Sequence, residues 1–77
     1  MDNLSDRLET ARRRNLLTQS ELAQRAGVAL ITVTRIENQK GIGNPRPDTV
    51  RRLAKALEVD PAWLLFGDEE FEGKAAA

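Results

Sequence analysis

Apolar side chains recur at helical spacing along five stretches of this chain, and none of these stretches alternates with the two-residue period of a strand. In the first stretch, Leu4, Leu8 and Ala11 share one face of a helix. The pattern therefore predicts an all-α fold. The predicted helices cover residues 4–14, 18–26 and 29–38, with a fourth beginning at 47 and a fifth between 60 and 67.

Residues 18–38 are the most informative part of the pattern, because they predict two short helices joined by a tight turn. Thr18 is followed three residues later by Glu21, which is the spacing of a capping box at a helix N-terminus. Gly27 stands at the predicted turn, where a positive φ costs glycine nothing. A second apolar stripe follows at Val33 and Ile36, three residues apart.

This segment resembles the DNA-binding helix-turn-helix of Cro and the phage repressors. The positions that carry the resemblance are Ala23, Gly27, Val33 and Ile36, with the ending Arg35-Ile36-Glu37-Asn38. The resemblance implies a five-helix, lambda-repressor-like DNA-binding domain over residues 1–67, with the helix-turn-helix at the second and third helices. The third helix would then enter the major groove of DNA.

The resemblance assigns base contacts to exposed side chains of the third helix, namely Leu30, Ile31, Thr32, Thr34 and Arg35. The Arg35 guanidinium can bond both O6 and N7 of a guanine, a contact worth about 1–3 kcal/mol of discrimination. Leu30 and Ile31 depart from the polar side chains that many members of the family place there. Three explanations stand: the pair contacts thymine C5-methyl groups, Ile31 folds into the core, or the pair binds another protein.

The resemblance also implies phosphate contacts at the start of the second helix and in the loop after the third. The residues assigned to them are Thr18, Gln19, Asn38, Lys40, Asn44 and Arg46. A helix N-terminus favours such contacts because its free N–H groups and its dipole attract anions. In the same family, an arginine at the position of Arg12 pairs with a glutamate at the position of Glu37, and this pair joins the first helix to the third.

Several apolar side chains have predicted packing roles. We expect Leu16 and Leu17, which lie between the first two helices, to pack under the second helix. Trp63 falls where the resembled family packs a core aromatic, so we assign it to the core rather than to base stacking. Phe66 is more exposed by its position, and together with Leu65 it is a candidate for a dimer contact.

The chain contains neither Cys nor His. Their absence excludes disulfides and thiolate metal sites, and it removes the commonest general base and the commonest metal ligand. Carboxylates are scattered over the predicted helix surfaces, and Gly41-Ile42-Gly43 is too short for a phosphate-binding loop and follows no strand. We therefore expect no enzymatic activity, no metal and no cofactor.

The net charge of zero hides an asymmetry along the chain. Residues 1–67 hold eleven Lys and Arg against eight Asp and Glu, a net charge of +3, whereas residues 68–77 hold one Lys against four acidic residues, a net charge of −3. A mildly basic folded part is compatible with nucleic-acid binding. We expect residues 68–77 to form a disordered acidic tail. No apolar run approaches the roughly 20 residues of a membrane span, which favours a cytoplasmic protein with no membrane partner.

Two functions follow from these patterns. The leading hypothesis is a sequence-specific transcriptional regulator that binds double-stranded DNA as a homodimer on a near-palindromic operator. The alternative is a protein-interaction adaptor on the same fold, of the antitoxin or bridging-factor type, whose partner would bind the apolar pair Leu30 and Ile31.

Overall fold

The computed structural model describes residues 3–38 and 45–67, and all regular structure in these two ranges is helical. The five helices are α1 (Leu4–Arg14), α2 (Gln19–Ala26), α3 (Leu30–Asn38), α4 (Pro47–Leu57) and α5 (Pro61–Phe66). The prediction of an all-α, five-helix fold is confirmed. The predicted starts of α2 and α3 were each one residue early.

The apolar faces of the helices meet in a single core. Its fully buried larger side chains come from every helix and are Leu8, Leu22, Val33, Leu53, Leu57 and Leu64. Within this core α2 packs on α3 and α4, while α1 packs on α3 and α5. The outward face of α3 is therefore left uncovered while its inward face is held by two neighbours.

Local side-chain bonds fix where the helices begin and end. Asn3 caps α1, since its side-chain oxygen accepts a hydrogen bond from the backbone N–H of Asp6 at 2.8 Å. The capping box predicted at α2 is confirmed: Thr18 Oγ1 accepts from the N–H of Glu21 at 3.0 Å, and Glu21 Oε1 accepts from the N–H of Thr18 at 2.8 Å. Gly27 ends α2 with φ +72°, as the turn prediction required.

The predicted packing of Leu16 under α2 is wrong. Leu17 is buried, but Leu16 is 89% exposed and has φ +58°. The chain leaves α1 through a left-handed residue at Leu16, which turns the Leu17 side chain inward and the Leu16 side chain outward. Only one of two adjacent side chains can point into the core across such a tight connection.

A buried arginine ties α1 to α5. Arg7 is almost fully buried; its Nε donates to the carbonyl of Leu64 at 2.9 Å, and its Nη2 donates to the carbonyl of Leu65 at 2.8 Å. Trp63 is half-buried against the core, in keeping with its predicted role, whereas Phe66 is 48% exposed. The last helix is thus held by polar bonds to its C-terminal carbonyls as well as by apolar packing.

Three predictions fall outside the described residues: the disordered tail at 68–77 and the phosphate contacts at Lys40 and Asn44. Across 3–38 and 45–67, no helix has the length and apolar character needed to cross a membrane.

Candidate nucleic-acid interface

The turn between α2 and α3 brings the two helices close together. After the left-handed Gly27, the N–H of Val28 returns to the carbonyl of Ala23 at 3.0 Å. Ala23 is buried, and its methyl group leaves room for the backbones to approach. Arg52 of α4 adds a long bond from Nη1 to the carbonyl of Gly27, at 3.4 Å. The sequence pattern at 18–38 therefore folds into two helices set at a fixed angle by a short turn.

Two apolar side chains are exposed at the start of α3, and a cation is exposed one turn later. Leu30 is 47% exposed and Ile31 is 54% exposed. The explanation that Ile31 folds into the core is wrong, because Ile31 lies about 200° around the helix from the buried Val33. Arg35 is four residues after Ile31 and so projects from the same face. No described residue forms an ion pair with Arg35.

The two threonines of α3 are less available than the other candidate base contacts. Thr32 and Thr34 are both half-buried. The hydroxyl of Thr34 donates to the carbonyl of Ile31 at 3.0 Å, so only its oxygen lone pairs remain for another partner. Arg35 and the apolar pair are therefore the most accessible members of the predicted base-contacting set.

Glu37 of α3 is buried behind this face, and it is hydrogen-bonded to residues of two other helices, α1 and α2. Its carboxylate oxygens accept from Arg12 Nε at 2.7 Å and Arg12 Nη2 at 2.9 Å, which is the α1–α3 pair that the resemblance implies. Glu37 Oε1 also accepts from Gln19 Nε2 of α2 at 2.9 Å. The backbone carbonyl of Glu37 accepts a short bond from the hydroxyl of Ser5. One residue of α3 thus links α1 and the start of α2.

Arg12 donates three hydrogen bonds in this network, one from each guanidinium nitrogen. Besides its two bonds to Glu37, its Nη1 donates to the carbonyl of Leu17 at 2.9 Å. The hydrogen bond to the Glu37 carboxylate raises the pKa of Arg12 above its ordinary value, even though burial acts in the opposite direction. The positive guanidinium lies against the buried carboxylate and balances its charge.

The candidate phosphate contacts that the structure describes lie at the start of α2, at the end of α3 and at the N-cap of α4. Thr18 is exposed and Gln19 half-buried at the start of α2, but the Thr18 hydroxyl already accepts from Glu21 and the Gln19 amide already donates to Glu37. Asn38 is exposed at the end of α3, and Arg46 is exposed at the N-cap of α4, where its side chain makes no capping bond. Both Asn38 and Arg46 are open to a ligand.

Sequence reasoning missed the bond between Gln19 and Glu37, and it missed the burial of Ser5 and Arg7. Ser5 and Arg7 flank the apolar stripe of α1, where polar residues are usually solvated, so the pattern held no signal for them. One signal could have indicated the Gln19 bond. The Glu37 carboxylate, already assigned to a pair with Arg12, has more lone pairs than one arginine can fill, so a further donor was to be expected.

Comparison with known proteins gives a match to one family model, described as helix-turn-helix, over residues 8–64. The chain is 35% identical over 66 residues to the HTH-type transcriptional repressor RghR of Bacillus subtilis (strain 168), an alignment that covers 86% of this chain and 48% of the relative. The chain spans between 31% and 48% of the length of the first curated relatives it matches.

Two solved structures share the fold. The P22 c2 repressor in complex with a synthetic operator superimposes with a TM-score of 0.77 and 25% identity, covering 88% of this chain and all of that one. The SinR/SinI protein complex gives a TM-score of 0.76 and 27% identity, covering 95% of this chain and 75% of that one. One neighbour is thus bound to DNA and the other to a protein.

Proposed function

Since this chain belongs to the helix-turn-helix family, in its Cro and phage-repressor branch, we propose that it is the DNA-binding domain of a transcriptional repressor that contacts the major groove of double-stranded DNA through α3. The observation that carries the proposal is the exposure of Ile31 and Arg35 on the outward face of α3, with the exposed Leu30 at the start of the helix, while the inward face of α3 is buried. The family is one of DNA-binding regulators and not of enzymes. We propose that the chain catalyses no reaction and acts in the cytoplasm.

Arg35 is the proposed specificity contact. It is exposed, it has no ion-pair partner among the described residues, and it lies four residues beyond Ile31 on the same face. A guanidinium in the major groove matches the O6 and N7 acceptors of guanine. Thr32 and Thr34 are the proposed secondary contacts beside it.

Leu30 and Ile31 are proposed to contact thymine C5-methyl groups. Their exposure to water is unfavourable in the free protein, and a methyl-rich groove edge would relieve it. Replacing dT by dU removes only the methyl group, so it should weaken operator binding at the contacted positions. The L30Q/I31Q double variant should bind the dT and dU operators equally.

Phosphate contacts are proposed at the start of α2 and in the segment of the chain from the end of α3 to the start of α4. The residues are Thr18, Gln19, Asn38, Lys40, Asn44 and Arg46. A cation that neutralises a phosphate releases a counterion, so Arg46→Ala should reduce the slope of log K against log salt by about 1. Arg35→Ala should change the base preference instead.

A homodimer is proposed because one α3 reaches only a few base pairs. A two-fold dimer would place two α3 helices about 34 Å apart, one turn of DNA, on a near-palindromic site. Leu65 and Phe66 of α5 are proposed for the contact between subunits, since about half of the Phe66 side chain is exposed. Sedimentation equilibrium with and without DNA would measure the oligomeric state.

The decisive experiment is a selection from random duplexes, which yields the operator and the spacing of its half-sites. On that operator, Arg35→Ala should cost about 1–3 kcal/mol of binding free energy and relax the preference at one base pair. Arg51→Ala is the matched control, because it removes the same charge from an exposed position on α4. If no duplex is enriched, or if binding is independent of salt, the proposal fails.

The second candidate function is a protein-binding adaptor. The same exposed pair, Leu30 and Ile31, supports it, together with the fold shared with a protein–protein complex. The two functions differ in what the L30Q/I31Q variant loses. If its affinity for the selected operator equals that of the wild type, the pair does not contact DNA and the adaptor is favoured.

A further inference from the structure

The carboxylate of Glu37 is buried beneath the first turn of α2, where the proposed phosphate contacts begin. The Glu37 side chain is only 3% exposed, so it cannot touch DNA itself. It nevertheless holds a side chain that can, since its Oε1 accepts from Gln19 Nε2 at 2.9 Å. Arg12 fixes the carboxylate from the other side with bonds of 2.7 and 2.9 Å.

The bond to Glu37 fixes the Gln19 amide and leaves one of its N–H groups available. Its Nε2 carries two N–H groups, of which Glu37 takes one. In the part of the chain that the structure describes, the second N–H and the amide oxygen have no partner. Gln19 is half-buried and is the first residue of α2, so the spare N–H lies beside the free backbone N–H groups of that helix.

We infer that Glu37 is a positioning residue for DNA binding: it orients the Gln19 amide so that the spare N–H meets a phosphate. The inference rests on the proposed function. A freely rotating glutamine loses rotamer freedom when it binds, whereas Gln19 has already lost it on folding. The expected gain from this preorganisation is about 2- to 10-fold in affinity.

Arg12 makes this arrangement compatible with a nearby phosphate. A buried carboxylate alone would repel the DNA backbone, and the bidentate guanidinium cancels its charge. The network therefore consists of a neutral pair whose carboxylate can still accept a hydrogen bond from Gln19. The pair thus serves the interface in addition to joining α1 to α3.

The test compares two ways of losing the phosphate contact. Gln19→Ala removes the donor, and the R12M/E37L double variant removes the acceptor that orients it. We expect the double variant to fold, because apolar groups of similar volume commonly substitute for a buried ion pair. Ser5→Ala is the matched control, since it deletes a bond to the Glu37 backbone but leaves the carboxylate and Gln19 in place. Affinity for the selected operator is measured per folded molecule, with the folded fraction taken from circular dichroism.

Gln19→Ala should weaken binding about tenfold, as expected for a hydrogen bond to a charged group. R12M/E37L should weaken it about 2- to 10-fold in the wild-type background and not at all in the Gln19→Ala background. Ser5→Ala should leave affinity unchanged. The contacted phosphate is found by replacing the phosphates of the operator one at a time with a neutral methylphosphonate. On the operator that carries this replacement, the losses of affinity caused by Gln19→Ala and by R12M/E37L should both become smaller.

Additive losses from the two changes would overturn the positioning role while leaving DNA binding in place. An unchanged affinity of Gln19→Ala would overturn it equally. Failure to obtain any operator would instead refute the proposed function, and the inference with it. If R12M/E37L does not fold, the methylphosphonate scan with Gln19→Ala and Glu37→Gln decides the matter.

Discussion

Leu16 adopts a backbone conformation and a solvent exposure that both disfavour leucine. Its φ is +58° and its side chain is 89% exposed. The left-handed conformation costs an L-residue about 1–2 kcal/mol. Glycine avoids that cost but loses about 0.5–1 kcal/mol through its greater chain entropy. Leu16→Gly should therefore raise the free energy of unfolding by about 0.5–1 kcal/mol, measured by urea denaturation.

The control for Leu16→Gly is a glycine placed where the backbone is ordinary. Arg51 is exposed in the middle of α4, and Arg51→Gly should lower stability by about 1 kcal/mol. If both substitutions destabilise, the strain assigned to Leu16 does not exist. If Leu16→Gly stabilises the protein but weakens operator or partner binding, the exposed leucine is retained for an interaction.

At the scale of one element, the capping box gives α2 a pH dependence. The backbone N–H of Thr18, and then its hydroxyl, stabilise the ionised Glu21 and lower its pKa in the folded state below the ordinary 4.5. Because the folded pKa is depressed, this stabilisation is complete above pH 4.5 and is lost as the pH falls through the lowered value.

Glu21→Gln tests this linkage because glutamine also closes a capping box. The wild type should melt at a higher temperature than the variant at neutral pH. The difference should narrow as the pH is lowered below 4.5. Thermal unfolding followed by circular dichroism measures both proteins. A difference that stays constant with pH would show that the charge of Glu21 contributes nothing to the cap.

The turn between α2 and α3 requires glycine because of its backbone conformation, and not because a side chain would lack room. A Cβ at Gly27 would meet Arg52 Nη1 at 3.5 Å, an ordinary contact, but φ there is +72°. Gly27→Ala should cost about 1–2 kcal/mol, and Gly27→Asn should cost less because asparagine tolerates this region. Urea denaturation ranks the three proteins. Equal losses for Ala and Asn would point to a steric cause instead.

At the scale of the whole molecule, features that depend on residues close together in the sequence could be predicted, and features that depend on how the helices pack could not. The capping box and Gly27 were predictable because each depends on residues within one turn. The choice between Leu16 and Leu17 was not, since either leucine fits the apolar pattern. The direction of each side chain is settled by how α1 packs on its neighbours, which local spacing does not contain.

The same distinction between local and long-range features applies to the candidate site. The exposed face of α3 follows from helical periodicity, because Ile31 and Arg35 are four residues apart. The link between Gln19 and Glu37 spans 18 residues and depends on how α2 crosses α3. The Arg12 pair was accessible only through family resemblance, since a basic run on a helix ordinarily points to solvent.

Arg7 joins α1 to α5, the first of the five helices to the last. A six-residue helix such as α5 is too short to be stable alone. Arg7→Met would keep the apolar bulk but leave the carbonyls of Leu64 and Leu65 without their donors. The expected loss in unfolding free energy is about 2–4 kcal/mol.

The loss should appear first in α5 and leave the helix-turn-helix folded. In native-state hydrogen exchange, the N–H of Gly67, which donates to Trp63 at 2.8 Å, should lose protection before the N–H of Leu22 in α2. Arg13→Met is the control, because Arg13 is largely exposed and, among the residues that the structure describes, its ion pair is with Glu9 one turn away. Its loss should change stability by less than about 0.5 kcal/mol. If Arg7→Met lowers protection uniformly, α5 unfolds only with the rest of the domain. In that case Arg7 supports the whole core, because the cooperative unit would then extend from α1 to α5.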